Sequence, residues 1–428
     1  MAKNSLLKNV FLLVGGTTMA QLVSVMASPI LTRLYSPEEY GTFSLFTSIC
    51  AIFTIISCLT LEQAIALPKS CITASALYRL ALAALVIVVS IVCVVVVGAY
   101  TGDWFAIKDK LNTSMLLIPA AVCFTGLFMI NNFWAIRNDK YNNISKAKVA
   151  QVIVQVSSQI VLSVFSSFGL IWGYIVGTVV SSSFLLVANY RLGKLLTVSL
   201  KRVVASLSRY RRFPIYSTWE VLFNAVSLHS APIILALFFG NTNAGLFALS
   251  FRIMSLPVTV IGMAVGHGFY GKAKELRDRT VAAELLEKTV INLLILGLIP
   301  FIPFVLFGPE IFSFLFGPNW ELAGNVAQWI TLWVVFQLVA SPLSVIFPIY
   351  EKQVQGLIWQ ILLVVSRLSA LYVAFLQQDF MLAVCIYCIV SAAAYFILLI
   401  WVSLLVNIPI IELIFKLSIS TFKIVVGF

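Results

Sequence analysis

Ionisable side chains are scarce in this sequence. Sixteen carboxylates and two histidines occur in 428 residues, and charged residues make up 10% of the chain, against about 25% in an ordinary soluble domain. Cys385-x-x-Cys388 has no His or Cys partner at ligand spacing, and all seven cysteines lie in or beside apolar runs. Neither a metal, a cofactor nor a disulfide framework is therefore expected. Long polar intervals are missing as well: none much exceeds about twenty residues, too little for a separate catalytic domain. The sequence does not read as an enzyme.

What is present is apolar sequence, 61% of all residues. Buried surface grows too slowly with chain length for a soluble fold to hide so much, so the bilayer must solvate most of the protein. A spanning helix needs about 20 apolar residues. Such runs fall at roughly 9–31, 40–67, 77–100, 113–136, 148–168 and 170–190, and again at 214–239, 244–268, 287–308, 323–350, 355–376 and 380–406. The expected fold is all-α and membrane-embedded, with about twelve transmembrane helices. Between Ser166 and Gly169 a helical hairpin must turn within a few residues. Lys3 and Lys8 precede the first run, which is too long for a signal-peptide core and reads as an uncleaved helix.

The basic residues orient the chain. With the N-terminus in the cytoplasm, 23 of the 28 Lys and Arg fall on the inner side. Arg33, Lys108 and Lys110 fall outside, and Arg252 and Arg367 within the membrane. Cytoplasmic loops are enriched in Lys and Arg, so both termini are placed inside. The net charge of +12 is thus a topological signal; the basic residues sit in short loops without interleaved aromatics, and no nucleic-acid partner is expected. The interval 191–213 carries Lys194, Lys201, Arg202, Arg209 and Arg212 at near-helical spacing with Val203, Val204 and Leu207 between them. It reads as an amphipathic helix on the inner face. The tail 407–428 repeats the pattern with Glu412 and Lys416. The organisation expected is a bundle over 1–190, a linker over 191–213, a second bundle over 214–406 and an interfacial tail.

A shift of 204 residues aligns Leu31–Leu45 with Leu235–Leu249 without gaps. Both stretches follow a proline, Pro29 or Pro232, and both lead into a Gly-x-Phe-x-Leu helix start, at Gly41 and Gly245. The first and second halves therefore hold equivalent helices in one orientation. Such parallel repeats are related by an axis along the membrane normal, with cargo bound between the halves.

Leu31-Thr-Arg33-Leu-Tyr-Ser-Pro-Glu-Glu-Tyr-Gly-Thr-Phe-Ser, followed by Leu61-Glu62-Gln-Ala-Ile-Ala-Leu-Pro68-Lys69, resembles the opening of bacterial O-antigen and capsule flippases. These belong to the multidrug/oligosaccharidyl-lipid/polysaccharide exporter superfamily. Gly245-Leu-Phe-Ala-Leu-Ser-Phe-Arg252-Ile-Met-Ser-Leu-Pro257 resembles their eighth helix. The resemblance implies a V-shaped pair of six-helix bundles around a central cavity, in the inner membrane. The implied cargo is an undecaprenyl-pyrophosphate-linked oligosaccharide, carried from the cytoplasmic to the periplasmic leaflet by ion-coupled alternating access. Implied partners are the polymerase and chain-length machinery of the same pathway. It also implies substrate contacts at Arg33 and Arg252, as in the related lipid II flippases.

Intramembrane charges point the same way, because each is costly unless it faces a cavity or partner. Arg252 lies about eight residues into its run, roughly 12 Å from the outer end; Arg367 lies midway along another. Glu62 and Glu220 sit about six residues from the inner ends of their runs, and His229 in the outer half. The arginines suit a pyrophosphate, since a guanidinium grips phosphate bidentately; the competing reading pairs each with a Glu as structural glue. Glu62, Glu220 and His229 suit proton or Na⁺ coupling. Pro257 leaves a carbonyl unpaired and marks a hinge or fixed bend. A multidrug exporter of small cations is the main rival, disfavoured by the two arginines. A non-transporting structural protein and an embedded glycosyltransferase fit less well.

Overall fold

A computed structural model describes residues 15–102, 107–189, 199–271, 279–350 and 352–406. The expected tail helix, Lys3 and Lys8, and 191–198 of the linker lie outside the described residues. Every regular element among the described residues is helical. Residues 15–26 lead into α1 (Ser28–Leu34). There follow α2 (Pro37–Ser57), α3 (Cys71–Gly102), α4 (Ile118–Arg137), α5 (Tyr141–Leu162), α6 (Gly169–Ala188), α7 (Leu200–Tyr210) and α8 (Thr218–Phe239). The second part contains α9 (Asn241–Met254), α10 (Leu256–Gly271), α11 (Arg279–Phe316), α12 (Glu321–Ala340), α13 (Gln353–Gln377) and α14 (Phe380–Leu405). Ten helical stretches among these are long and apolar enough to cross a membrane.

The chain forms two compact units, Met1–Gly245 and Leu246–Phe428. The first takes in α8, which packs along α2. Its core is built where Leu61, Ile65, Leu77, Tyr78, Ile130 and Trp134 meet between α3, α4 and the segment after α2. In the second unit α12 packs on both α11 and α14, and α13 on α14.

Local chemistry explains the element ends. Ser36-Pro37-Glu38-Glu39 is a capping box: Ser36 Oγ accepts from the Glu39 amide at 3.3 Å, and Glu39 Oε2 accepts from the Ser36 amide at 2.8 Å. Pro37 occupies the first turn, where no amide donor is needed. Asp379 caps α14 by accepting from the Leu382 amide. Helix α2 stops at Ser57, earlier than the apolar run to 67 suggests, because Leu59 and Thr60 are both left-handed (φ 51° and 52°). A short helix, Leu61–Ala64, follows.

Helix α5 is the most polar of the expected spans, and its neighbour explains how it is tolerated. Gly169, Gly173 and Gly177 form one face of α6, and a Cβ on any of them would come within 3.0 Å of the α5 backbone or of Gln155 or Gln159. Small residues let backbones approach and bring polar side chains into partnership. Buried Gln159 donates to Leu170 O at 2.9 Å, and its own carbonyl accepts from Tyr35 OH at 2.6 Å. The hairpin turns between Leu162 and Gly169, close to the sharp turn expected.

Helix α11 spans 38 residues, well over the length of one crossing. It kinks at Phe307 (φ −130°, ψ 32°), amid Pro300, Pro303 and Pro309. Its start carries an exposed Glu284–Lys288 pair at 2.7 Å, one turn apart.

Candidate functional site

The expected site residues divide between the units. Arg33, Glu62, Glu220 and His229 belong to the first; Arg252, Pro257 and Arg367 to the second. Arg33 is exposed in the last turn of α1, where a cation also complements the helix dipole. Glu220 lies on α8, but its side chain is outside the described residues. His229 is half-buried on α8, three residues before Pro232.

Glu62 is 1% exposed. It lies beyond the end of α2, outside every helix long enough to cross a membrane, rather than within a span as the sequence suggests. The two left-handed residues before it fold the chain back into the core of α3 and α4. Its Oε2 meets no hydrogen-bond donor among the described residues. Burial pushes the carboxyl up to about 7, since desolvation disfavours the charged form. The loop just after it is fixed by Arg137, one of the basic residues counted on the inner side. That guanidinium donates to the carbonyls of Ile65, Pro68 and Lys69.

Arg367 is fully buried on α13. Its guanidinium carbon lies 4.6 Å from the ring centre of Trp333, 5.5 Å from Tyr387 and 5.8 Å from Tyr395. Its Nε donates to Ser391 Oγ at 3.0 Å. The cation thus lies against three aromatic faces, which stabilise a desolvated guanidinium. Tyr387, Ser391 and Tyr395 follow at four-residue spacing on one side of α14, a signal legible in the sequence but not used. The aromatic system continues into α9: Phe251 stacks on Trp333 (5.0 Å between ring centres, 6° between planes), and Phe247 stacks on Phe251.

Arg252 sits beside that stack, half-buried in the last turn of α9. The helix breaks at Ser255, and α10 resumes at Leu256 with Pro257 as its second residue. Ser250 anchors α9 by donating to Ala323 O at 2.6 Å.

The start of α9 shows a contact that the sequence repeat foreshadows. A Cβ on Gly41 would fall 1.7 Å from Asn241 O, and one on Gly245 1.9 Å from Pro37 O. Pro37 and Asn241, like Gly41 and Gly245, are related by the same 204-residue shift. The contact is therefore reciprocal, as at a two-fold axis, where i touches j and j touches i. Asn241 Nδ2 reinforces it by donating to Thr42 Oγ1 at 2.8 Å and to Lys110 O at 2.9 Å.

A family model described as Polysaccharide biosynthesis protein matches residues 30–324. None of the curated proteins is matched by the sequence. Among solved structures, an inward-facing multidrug resistance MATE family transporter of the MOP superfamily is similar with TM-score 0.69 and 14% identity, covering 91% of this chain and 94% of its own. The lipid II flippase MurJ in an inward closed conformation gives TM-score 0.69 and 13% identity, covering 97% and 92%. A MOP superfamily transporter from Pyrococcus furiosus gives 0.55 and 13%, covering 94% and 96%. At such identities the likeness is one of fold: an all-α membrane architecture shared with transporters and flippases.

Proposed function

The chain belongs to the polysaccharide biosynthesis protein family, and from that membership we propose that it flips an undecaprenyl-pyrophosphate-linked oligosaccharide, an O-antigen or capsule repeat unit. Transport runs from the cytoplasmic to the periplasmic leaflet of the bacterial inner membrane, with both termini inside. It proceeds by alternating access between bundles over 1–190 and 214–406, joined by the linker 191–213. The protein acts without catalysis and alongside the polymerase and chain-length machinery of its pathway. The match over 30–324 carries this reading. Arg252 grips the pyrophosphate through its guanidinium fork, and the break before Pro257 lets that helix bend. Glu62, buried and short of donors, takes up and releases the coupling proton.

The second reading, export of small cationic compounds, is favoured by the likeness to the MATE transporter. Two arginines at membrane depth oppose it, because they repel such cargo. In cells lacking the gene, the flippase reading expects loss of surface polysaccharide, lipid-linked repeat units accumulating inside, and restoration by this chain. Unchanged surface polysaccharide with altered drug tolerance would favour the exporter.

A further inference from the structure

Helix α7 and the start of α3 border an open cavity of about 410 Å³ lined by Ser70, Ile72, Thr73, Arg202, Ser206 and Arg209. On α7, Arg202, Ala205, Ser206 and Arg209 follow at the three- and four-residue steps that place side chains on one helical face. Two guanidinium groups and three hydroxyls therefore share one cavity, and no carboxylate lines it among the described residues. Ser206 spends its hydroxyl proton on Arg202 O at 2.8 Å, so the two guanidinium groups set the character of the cavity. Their chemical complement is a phosphate, whose oxygens a guanidinium fork binds bidentately.

The same helix indicates where that phosphate comes from. Val204 and Leu207 are exposed, Val204 by 60%, and Ile72 at the cavity's edge is 47% exposed. A short helix with bare aliphatic residues beside a cationic face lies in the headgroup layer of a membrane. Basic cavities at that depth hold anionic lipid headgroups. We propose that this cavity binds the phosphodiester of an anionic phospholipid from the adjoining leaflet and so ties α7 to α3. The assignment is independent of the transported cargo.

The test uses the full-length protein in nanodiscs of equal parts phosphatidylcholine and phosphatidylglycerol, with bound lipid read by native mass spectrometry after release. The wild type should retain phosphatidylglycerol preferentially. Arg202→Gln with Arg209→Gln should weaken retention by roughly fivefold per arginine, the equivalent of about 1 kcal/mol each. Arg202→Lys with Arg209→Lys should keep part of it, which separates lost binding from lost folding. Lys201→Gln with Arg212→Gln removes two charges of the same region that do not line the cavity, and should leave retention near wild type. Undiminished retention in the Gln pair at Arg202 and Arg209 would overturn the assignment. So would an equal loss in the pair at Lys201 and Arg212, which would mean diffuse attraction. Displacement of the lipid by millimolar inorganic phosphate would make it a site for soluble anions and refute the lipid assignment.

Discussion

At the scale of single residues, buried ionisable groups separate into two kinds by what surrounds them. Arg367 is enclosed by Trp333, Tyr387, Tyr395 and Ser391. Desolvated cation–π contact contributes about 2 kcal/mol or more. Arg367→Ala should therefore lower the amount of folded protein and its melting temperature, measured by thermal unfolding in detergent. Arg252, half-buried at the end of α9, has the opposite expectation. Arg252→Ala should slow flipping by roughly ten- to a hundredfold, the size of one charge-assisted hydrogen bond, at normal membrane abundance; Arg252→Lys should restore part. Quantifying surface glycan beside membrane protein for both variants checks this, and a defect explained wholly by lost protein would contradict it.

Glu62 gives a pH prediction. Its folded pKa of about 7 exceeds the ordinary 4.5, so the folded state binds the proton more tightly. Stability from this group is full below about 4.5 and declines as pH rises through about 7. Glu62→Gln should flatten that decline in a melting-temperature series and remove the pH dependence of transport across the same window. That Arg252 and Arg367 interrupt long apolar runs was legible from the sequence. The partner of Arg367 was not, because aromatic residues in a span read as generic apolar sequence until α12 and α14 bring them together.

At the scale of elements, the reciprocal contact of Gly41 and Gly245 is the sharpest feature. Each glycine faces backbone that cannot give way, so an added methyl must separate the helix starts; overpacking of this kind costs about 1–3 kcal/mol. In a cysteine-free background, Thr42→Cys and Asn241→Cys should form a disulfide readily, since the native side chains hydrogen-bond at 2.8 Å. Adding Gly41→Ala or Gly245→Ala should suppress it. An unchanged rate of cross-linking would show that the contact tolerates a side chain. The sequence repeat marked these glycines as equivalent, yet could not show that they touch. Helix ends were less legible: Leu59 and Thr60 adopt left-handed backbone without the glycine that usually signals it. The polar helix α5 is intelligible only once the glycine face of α6 is opposite it.

At the scale of the whole molecule, hydropathy revealed the class of protein because, of the two structures that satisfy the backbone in a bilayer, helix and closed barrel, an unbroken run of about 20 apolar residues fits the helix. The orientation rests on the Lys and Arg asymmetry. Single cysteines at Asp109 and Lys69 in a cysteine-free background should react with an impermeant thiol reagent from outside and inside respectively. Reaction of both from one side would break the alternation. Cargo leaves the faintest trace in sequence, since it is set by a few side chains whose neighbours come from distant helices. The central claim, transfer of a lipid-linked oligosaccharide between leaflets, is tested most directly in vesicles reconstituted with the purified protein. They would carry a fluorescently tagged isoprenyl-pyrophosphate oligosaccharide in both leaflets and be quenched from outside. Flipping predicts that quenching proceeds beyond the outer-leaflet share with wild type and passes that share roughly ten- to a hundredfold more slowly with Arg252→Ala; stalling at that share with the wild type itself would contradict it.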